Sequence, residues 1–132
     1  MIKQFIIVCA TVLAVLVPGA PAGAHHSANA EFDTQKQMTI TGALTKVENV
    51  NPHSWWHVDV KGPDGKVQSW ILESLAPRGL IMKGLKVKTD LHMGETYTFR
   101  ISPALKDPDP HTKLGFMRSI TVDGKEYVVI EL

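Results

Sequence analysis

The sequence has a single cysteine, no excess of charge of either sign and none of the common catalytic motifs. Lys and Arg number 14 against 13 Asp and Glu, which gives the chain of 132 residues a formal net charge of +1. This balance excludes a basic surface that neutralises phosphates, so no nucleic-acid partner is expected. Phosphate-binding glycine loops and the GxSxG, HExxH and CxxC patterns are missing from the sequence.

The first 24 residues show the three regions of a secretory signal peptide. Lys3 precedes an apolar run at residues 5–17, and a Pro/Gly/Ala segment ends in an A-x-A pattern at Ala24. The run is shorter than the roughly 20 residues that cross a bilayer. We therefore expect cleavage after Ala24, export to the periplasm and no stable membrane insertion afterwards; a retained anchor is the alternative. Cys9 would leave with the peptide, so the mature chain would contain no disulfide.

The remaining residues predict one domain of short strands. Residues 25–36 are polar and irregular and are expected to form an arm, and residues 37–132 are expected to form the domain. Alternation of apolar and polar residues predicts strands, and a break in the alternation near Thr45 predicts a bulge. The predicted strands cover residues 38–50, 55–60, 67–73, 96–102, 114–122 and 127–130.

The order of these elements predicts an all-β fold with one short helix. That helix is expected between the third and fourth strands, with Ser74 as its N-cap. In the fifth strand we expect Leu114, Phe116 and Arg118 to share the inward side with Ile120, and Arg118 to cover the rim. A long bent first strand followed by this order is typical of an OB-like antiparallel Greek-key barrel. An open antiparallel sheet or sandwich is the alternative.

Histidines are the one chemically suggestive set of residues. Cleavage after Ala24 would make His25 the first residue, and a terminal histidine can bind Cu(II) through its α-amino nitrogen and its own imidazole. His53, presented by the stiff Asn51–Pro52 pair, is the candidate for a third nitrogen ligand, and His26 is a spare. Cleavage before Ala24 would instead place His26 third, which is a different copper-binding arrangement. The alternative is that these histidines are polar residues of an arm and a turn.

The second strand predicts a polar face that carries an exposed aromatic residue. His53, Trp55, His57 and Asp59 alternate with apolar residues and therefore share one side. In an OB-like barrel this strand belongs to the ligand-binding face. This face could contact a small ligand or a partner protein of the cell envelope. Alternatively, Trp55 packs under the arm against Phe32, and Asp59 orients His57.

Several short stretches of the sequence are distinctive: 24–27 (AHHS), 31–33 (EFD), 41–42 (TG) and 51–55 (NPHSW), together with Val47 and a last hairpin at 118–125. Over nearly the whole mature chain, the sequence with these stretches resembles a family of small exported bacterial proteins known as domain of unknown function 6152. The longer, proline-rich loop at 103–112 departs from the family pattern. The resemblance implies an exported single domain without an assigned activity, and it supplies no catalytic residue.

The residues favour a binding protein over an enzyme. Ser54 and His53 are adjacent on a predicted strand and point to opposite faces, so they do not form a nucleophile–base pair. Two functions remain open. One is a periplasmic copper-binding protein that uses His25, His26 and His53. The other is a metal-free OB-like protein that binds a small ligand or envelope partner through Trp55, His57 and Asp59.

Overall fold

The computed structural model describes residues 28–131, which form six strands and three short helical segments. The elements are α1 (Ala28–Glu31), β1 (Met38–Val50), β2 (His53–Lys61), β3 (Val67–Leu75), α2 (Pro77–Met82), α3 (Val87–Asp90), β4 (Thr96–Pro103), β5 (Thr112–Val122) and β6 (Lys125–Val128). The helix predicted between the third and fourth strands is α2, and α1 and α3 each add about one turn.

The strands close into a barrel. Their order is β3-β2-β1-β4-β5-β6, and β3 also pairs with β5, which joins the two sides of the sheet. The β3–β5 pairing is parallel, whereas the other strand pairs are antiparallel. Five strands form the closed barrel and β6 extends it. This topology confirms the predicted OB-like Greek-key barrel and excludes the open sheet.

The long first strand bends because its first half pairs with β4 and its second half pairs with β2. Its pairing with β2 shifts register between Leu44 and Lys46, which confirms the bulge predicted near Thr45. Ile40, Gly42 and Leu44 are buried on its inner side. Gly42 is required there, because a Cβ atom would lie 2.5 Å from the backbone oxygen of Asp59.

Among the residues that the structure describes, the barrel core contains sixteen buried apolar side chains, drawn from the strands, from the segment between β3 and β4 and from Val129 after β6. Trp56, Leu44 and Phe99 are among its largest fully buried members, and Trp56 meets Phe99 edge to face at 6.4 Å. The indole nitrogen of Trp56 donates to the buried hydroxyl of Ser54, which donates to the backbone oxygen of Leu75. The polar groups of this core region are therefore satisfied, as burial requires.

Two local predictions were wrong. Ser74 does not cap the helix: it lies in β3, its hydroxyl contacts the sulfur of Met117, and α2 begins after Ala76 without a side-chain cap. In β5, Met117 joins the core in place of Phe116, since the β4–β5 register shifts between Arg100 and Ile101. The shift reverses the alternation on the first half of β5.

Residues 28–36, which we call the strap, cross the outside of the barrel. The strap begins with α1, so this part of the predicted irregular arm contains a helical turn. Phe32 forms an isolated bridge with Ala104, and the backbone N–H of Asp33 donates to the oxygen of Pro103 at 2.9 Å. Within residues 28–131, no helix has the length and hydropathy of a membrane span.

Candidate functional site

The outer face of β2 carries the predicted polar residues together. Inner positions Ser54, Trp56 and Val58 are fully buried. His53, Trp55, His57 and Asp59 occupy the alternate positions and are partly exposed, which confirms that these four residues share one side of the strand. A two-residue turn, Asn51 and Pro52, joined by a cis peptide bond, precedes this strand.

His53 is held by a buried carboxylate. Its Nδ1 contacts Oε1 of Glu73 on β3, whose side chain is nearly inaccessible to solvent. Nε2 of His53 has no hydrogen-bond partner among residues 28–131. A carboxylate on one ring nitrogen fixes the orientation and tautomer of an imidazole and increases the basicity of the other nitrogen. His53 is therefore suited to coordinate a metal ion through Nε2.

A small cavity lies beside this pair. Its volume is about 130 Å³, and it is lined by the His53–Glu73 pair and by residues of the strap. The lining residues are Ala28, Glu31, Phe32, His53, Glu73, Ser74, Leu75, Phe116 and Ile130. The amino-terminal end of the described chain therefore lies at the same cavity as His53.

His57 pairs with a different carboxylate from the one predicted. Its Nε2 lies 2.8 Å from Oε2 of Glu48 on β1, whereas Asp59 accepts a hydrogen bond from the Ser69 hydroxyl at 3.0 Å. The alternative in which Asp59 orients His57 is wrong, because Asp59 bonds to Ser69 while Glu48, which is opposite Trp55 in the β1–β2 register, reaches His57 diagonally. Hydrogen bonds from Lys46 first, and then from His57, lower the pKa of Glu48 below its ordinary value of 4.5.

Trp55 lies at a second cavity, between the sheet and the strap. This cavity of about 450 Å³ is lined by Ala30, Glu31, Phe32, Trp55, Ala104, Leu105, Lys106 and Leu114. Trp55 and Phe32 line this cavity together, and the ring that Phe32 contacts is that of Phe116, at 5.4 Å between centroids. Leu105 is 62% exposed at its edge.

The described residues supply part of the proposed copper ligand set. His53 is placed as above, whereas His25 and His26 lie outside residues 28–131. Among the residues that are described, no three His, Cys, Asp or Glu side chains cluster in a way that could hold a metal ion.

Glu73 and Glu48 are the site residues that the sequence reasoning missed. Glu73 pairs across the sheet with Trp55 and with Phe116, so its burial depends on β5 and the strap. Glu48 reaches His57 from β1. Their charge could have identified them. Glu73 and Glu48 both carry a carboxylate, and both lie on strands that the sequence predicts next to the strand with His57.

The sequence matches the profile of a family of unknown function, DUF6152, over residues 13–112. The chain belongs to this family. The family match covers the Asn51–Trp55 stretch on which the resemblance rests most, and it ends before the last hairpin. No curated protein matches the sequence.

A solved structure supports the fold of this DUF6152 member. It is the mitochondrial single-stranded DNA binding protein Rim1 from S. cerevisiae, which aligns with a TM-score of 0.51 and 9% identity. The alignment covers 67% of this chain and 93% of that chain. At this identity the similarity concerns the barrel alone.

Proposed function

We propose that this DUF6152 member is an exported periplasmic protein that binds Cu(II) through His25, with His26 beside it, and through His53. The single observation that carries the proposal is the His53–Glu73 pair at a cavity that Ala28 also lines. The orientation of His53 leaves one nitrogen for a metal ion, and imidazole nitrogen is a good ligand of Cu(II).

Chain connectivity supports the inclusion of the amino-terminal histidines. Ser27 alone separates His26 from Ala28. Covalent geometry keeps the Cα of His26 within about 7.6 Å of that of Ala28. The chain that carries His25 and His26 therefore joins the described residues at the cavity that His53 lines, which supports their inclusion in the proposed site.

The copper proposal is tested with the mature chain that begins at His25. This chain should bind one Cu(II) much more tightly than a chain with one extra residue before His25, because the extra residue separates the α-amine from the imidazole. His53→Ala should also weaken binding, since it removes the third nitrogen. His111→Ala is the matched control, because His111 is exposed in the β4–β5 loop.

The outcome that rejects the copper site is equal affinity of the mature chain, the extended chain and His53→Ala. Thermal melts of each variant show whether it remains folded. Mass spectrometry of the periplasmic fraction defines the amino terminus. A mature chain that still carries residues 5–17 would overturn both the export and the copper proposals.

A second candidate function is the binding of a small apolar or aromatic ligand, or an envelope partner, beside Trp55. The cavity between Trp55, Leu105 and Leu114 favours it. The dye 1-anilinonaphthalene-8-sulfonate is a suitable probe: its fluorescence should rise with the wild-type protein and much less with Trp55→Ala. Equal fluorescence in both would reject this candidate.

Neither candidate requires catalysis or nucleic acid. We propose that the single-stranded DNA binding of Rim1 does not extend to this protein, since it has a net charge of +1 and carries Glu48 and Asp59 on or beside the outer face of β2. Such carboxylates repel phosphates. We therefore propose a binding protein that does not act as an enzyme.

A further inference from the structure

The strap is fixed to the barrel by two backbone hydrogen bonds, both to the same neighbouring segment of the chain. The backbone N–H of Asp33 donates to the oxygen of Pro103 at 2.9 Å, and that of Leu105 donates to the oxygen of Glu31 at 2.8 Å. Both partners, Pro103 and Leu105, lie where β4 ends and the loop to β5 begins. These bonds set the path of the strap relative to the barrel.

Two side chains add to this attachment. Phe32 is only 4% exposed and stacks on Phe116 with an interplanar angle of 46°. Arg118, which is buried, donates from Nη2 to the backbone oxygen of Thr34 at 2.5 Å.

The anchor of the strap adjoins the carboxylate that holds His53. Phe116 pairs with Glu73 across the parallel β3–β5 ladder, and Phe32 covers Phe116. Ala28, Phe32, His53 and Glu73 line one cavity. Docking of Phe32 therefore holds Ala28, where the described chain begins, at the cavity that His53 lines.

We infer that the strap is a positioning element of the copper site, with Phe32 as its positioning residue, and that strap docking and copper binding favour each other. This inference rests on the proposed copper function. Holding two ligands of one ion close together raises their effective concentration, so binding needs no new contact to become tighter. Coupling between two equilibria is reciprocal, so copper must in turn stabilise the docked strap.

The first test compares Phe32→Ala with the wild-type mature chain. Loss of the anchor should weaken Cu(II) binding about tenfold or more, which corresponds to about 1.4 kcal/mol. The electron paramagnetic resonance spectrum of its copper complex should resemble that of His53→Ala, because His53 no longer reaches the ion. Phe32→Leu should restore most of the affinity. Val67→Ala, which truncates an exposed residue on β3, should change neither readout.

The second test needs no substitution. Hydrogen exchange of the wild-type chain should slow in peptides covering residues 28–36 when Cu(II) is added, and peptides covering the 61–67 hairpin serve as the internal control. This measurement decides the question even if Phe32→Ala does not fold.

The outcomes separate this inference from the function on which it rests. If copper binds the wild-type chain through His53, but exchange of the strap and the spectrum of Phe32→Ala are unchanged, the strap inference is overturned and the copper site stands. If His53→Ala binds copper as the wild type does, both are overturned.

Discussion

At the scale of single residues, Glu73 is the side chain whose position is hardest to explain by stability alone. A buried carboxylate is costly unless it is paired, and Glu73 is 5% exposed with the imidazole of His53 as its partner. Replacing such a pair by apolar residues is often neutral or stabilising. The pair is therefore better explained by the orientation it gives to His53.

Glu73→Gln should lower Cu(II) affinity without removing any ligand. A glutamine keeps the shape of the side chain but removes the charge that makes Nε2 of His53 a stronger donor. Loss of such a supporting group typically costs 10- to 100-fold in metal affinity, so we expect a loss of about that size. Isothermal titration with Cu(II) measures it, and Gln68→Ala on the same strand is the control. An unchanged affinity would assign Glu73 a purely structural role.

Glu48 should titrate below pH 4.5, its ordinary pKa. Because the folded-state pKa is lowered, the associated stability is present above the ordinary pKa and is lost as the pH falls through the lowered folded-state value. Lys46→Ala should move the pKa of Glu48 back towards its ordinary value, since the hydrogen bond from Lys46 is the largest cause of the shift. NMR titration of the Glu48 carboxyl measures this, and Lys66→Ala serves as the control. A midpoint that does not change would contradict the assigned cause.

At the scale of elements, local alternation predicted faces well and cross-strand neighbours poorly. The outer face of β2 followed from the period of two, because Trp56 and Val58 are plainly apolar. Partners such as Glu48 for His57 depend on the register between β1 and β2, which the bulge after Leu44 shifts. The β5 side that carries Met117 depends likewise on a bulge in its pairing with β4. The register between two strands cannot be read from the sequence pattern of either strand alone.

The first strand also provides a test of close packing. Gly42→Ala should destabilise the fold, since the new Cβ would meet the backbone of Asp59 and a methyl group of Val58. Overpacking of this kind costs about 1–3 kcal/mol. Urea unfolding measures the loss, and the exposed Thr39→Ala on the same strand should change stability by only about 0.5 kcal/mol. Equal stability of the two variants would mean that the strands can separate locally.

At the scale of the whole molecule, the fold was predictable because the strand order, with a helical insertion between the third and fourth strands, is typical of this barrel type. The candidate site was predictable only in part. His53 and Trp55 stand out in the sequence, whereas the packing of Phe32 on Phe116 brings together distant parts of the chain. Such a contact requires the closed barrel, and the strand pattern alone does not contain it.

Copper should stabilise the whole mature protein if it binds the folded chain alone. At a free Cu(II) concentration 100 times the dissociation constant, the free energy of unfolding should rise by about 2.7 kcal/mol. The increase should fade at acid pH, because the imidazole and amine nitrogens must lose protons to bind metal. Thermal melts with and without Cu(II) across a pH series measure this, and Zn(II) provides a comparison. Stabilisation that persists unchanged into acid would argue against nitrogen ligands.

The parallel pairing of β3 with β5 has a consequence for the order of events during folding. Its partners, such as Ser69 and Thr112, are distant in the sequence. Chains dominated by non-local pairings fold in about milliseconds to seconds, since loops must close before contacts form. Phe116 reaches its place beside Glu73 only when this pairing forms, so the strap has no surface to dock on before that step. In stopped-flow refolding, tight copper uptake should therefore follow barrel closure and share its rate.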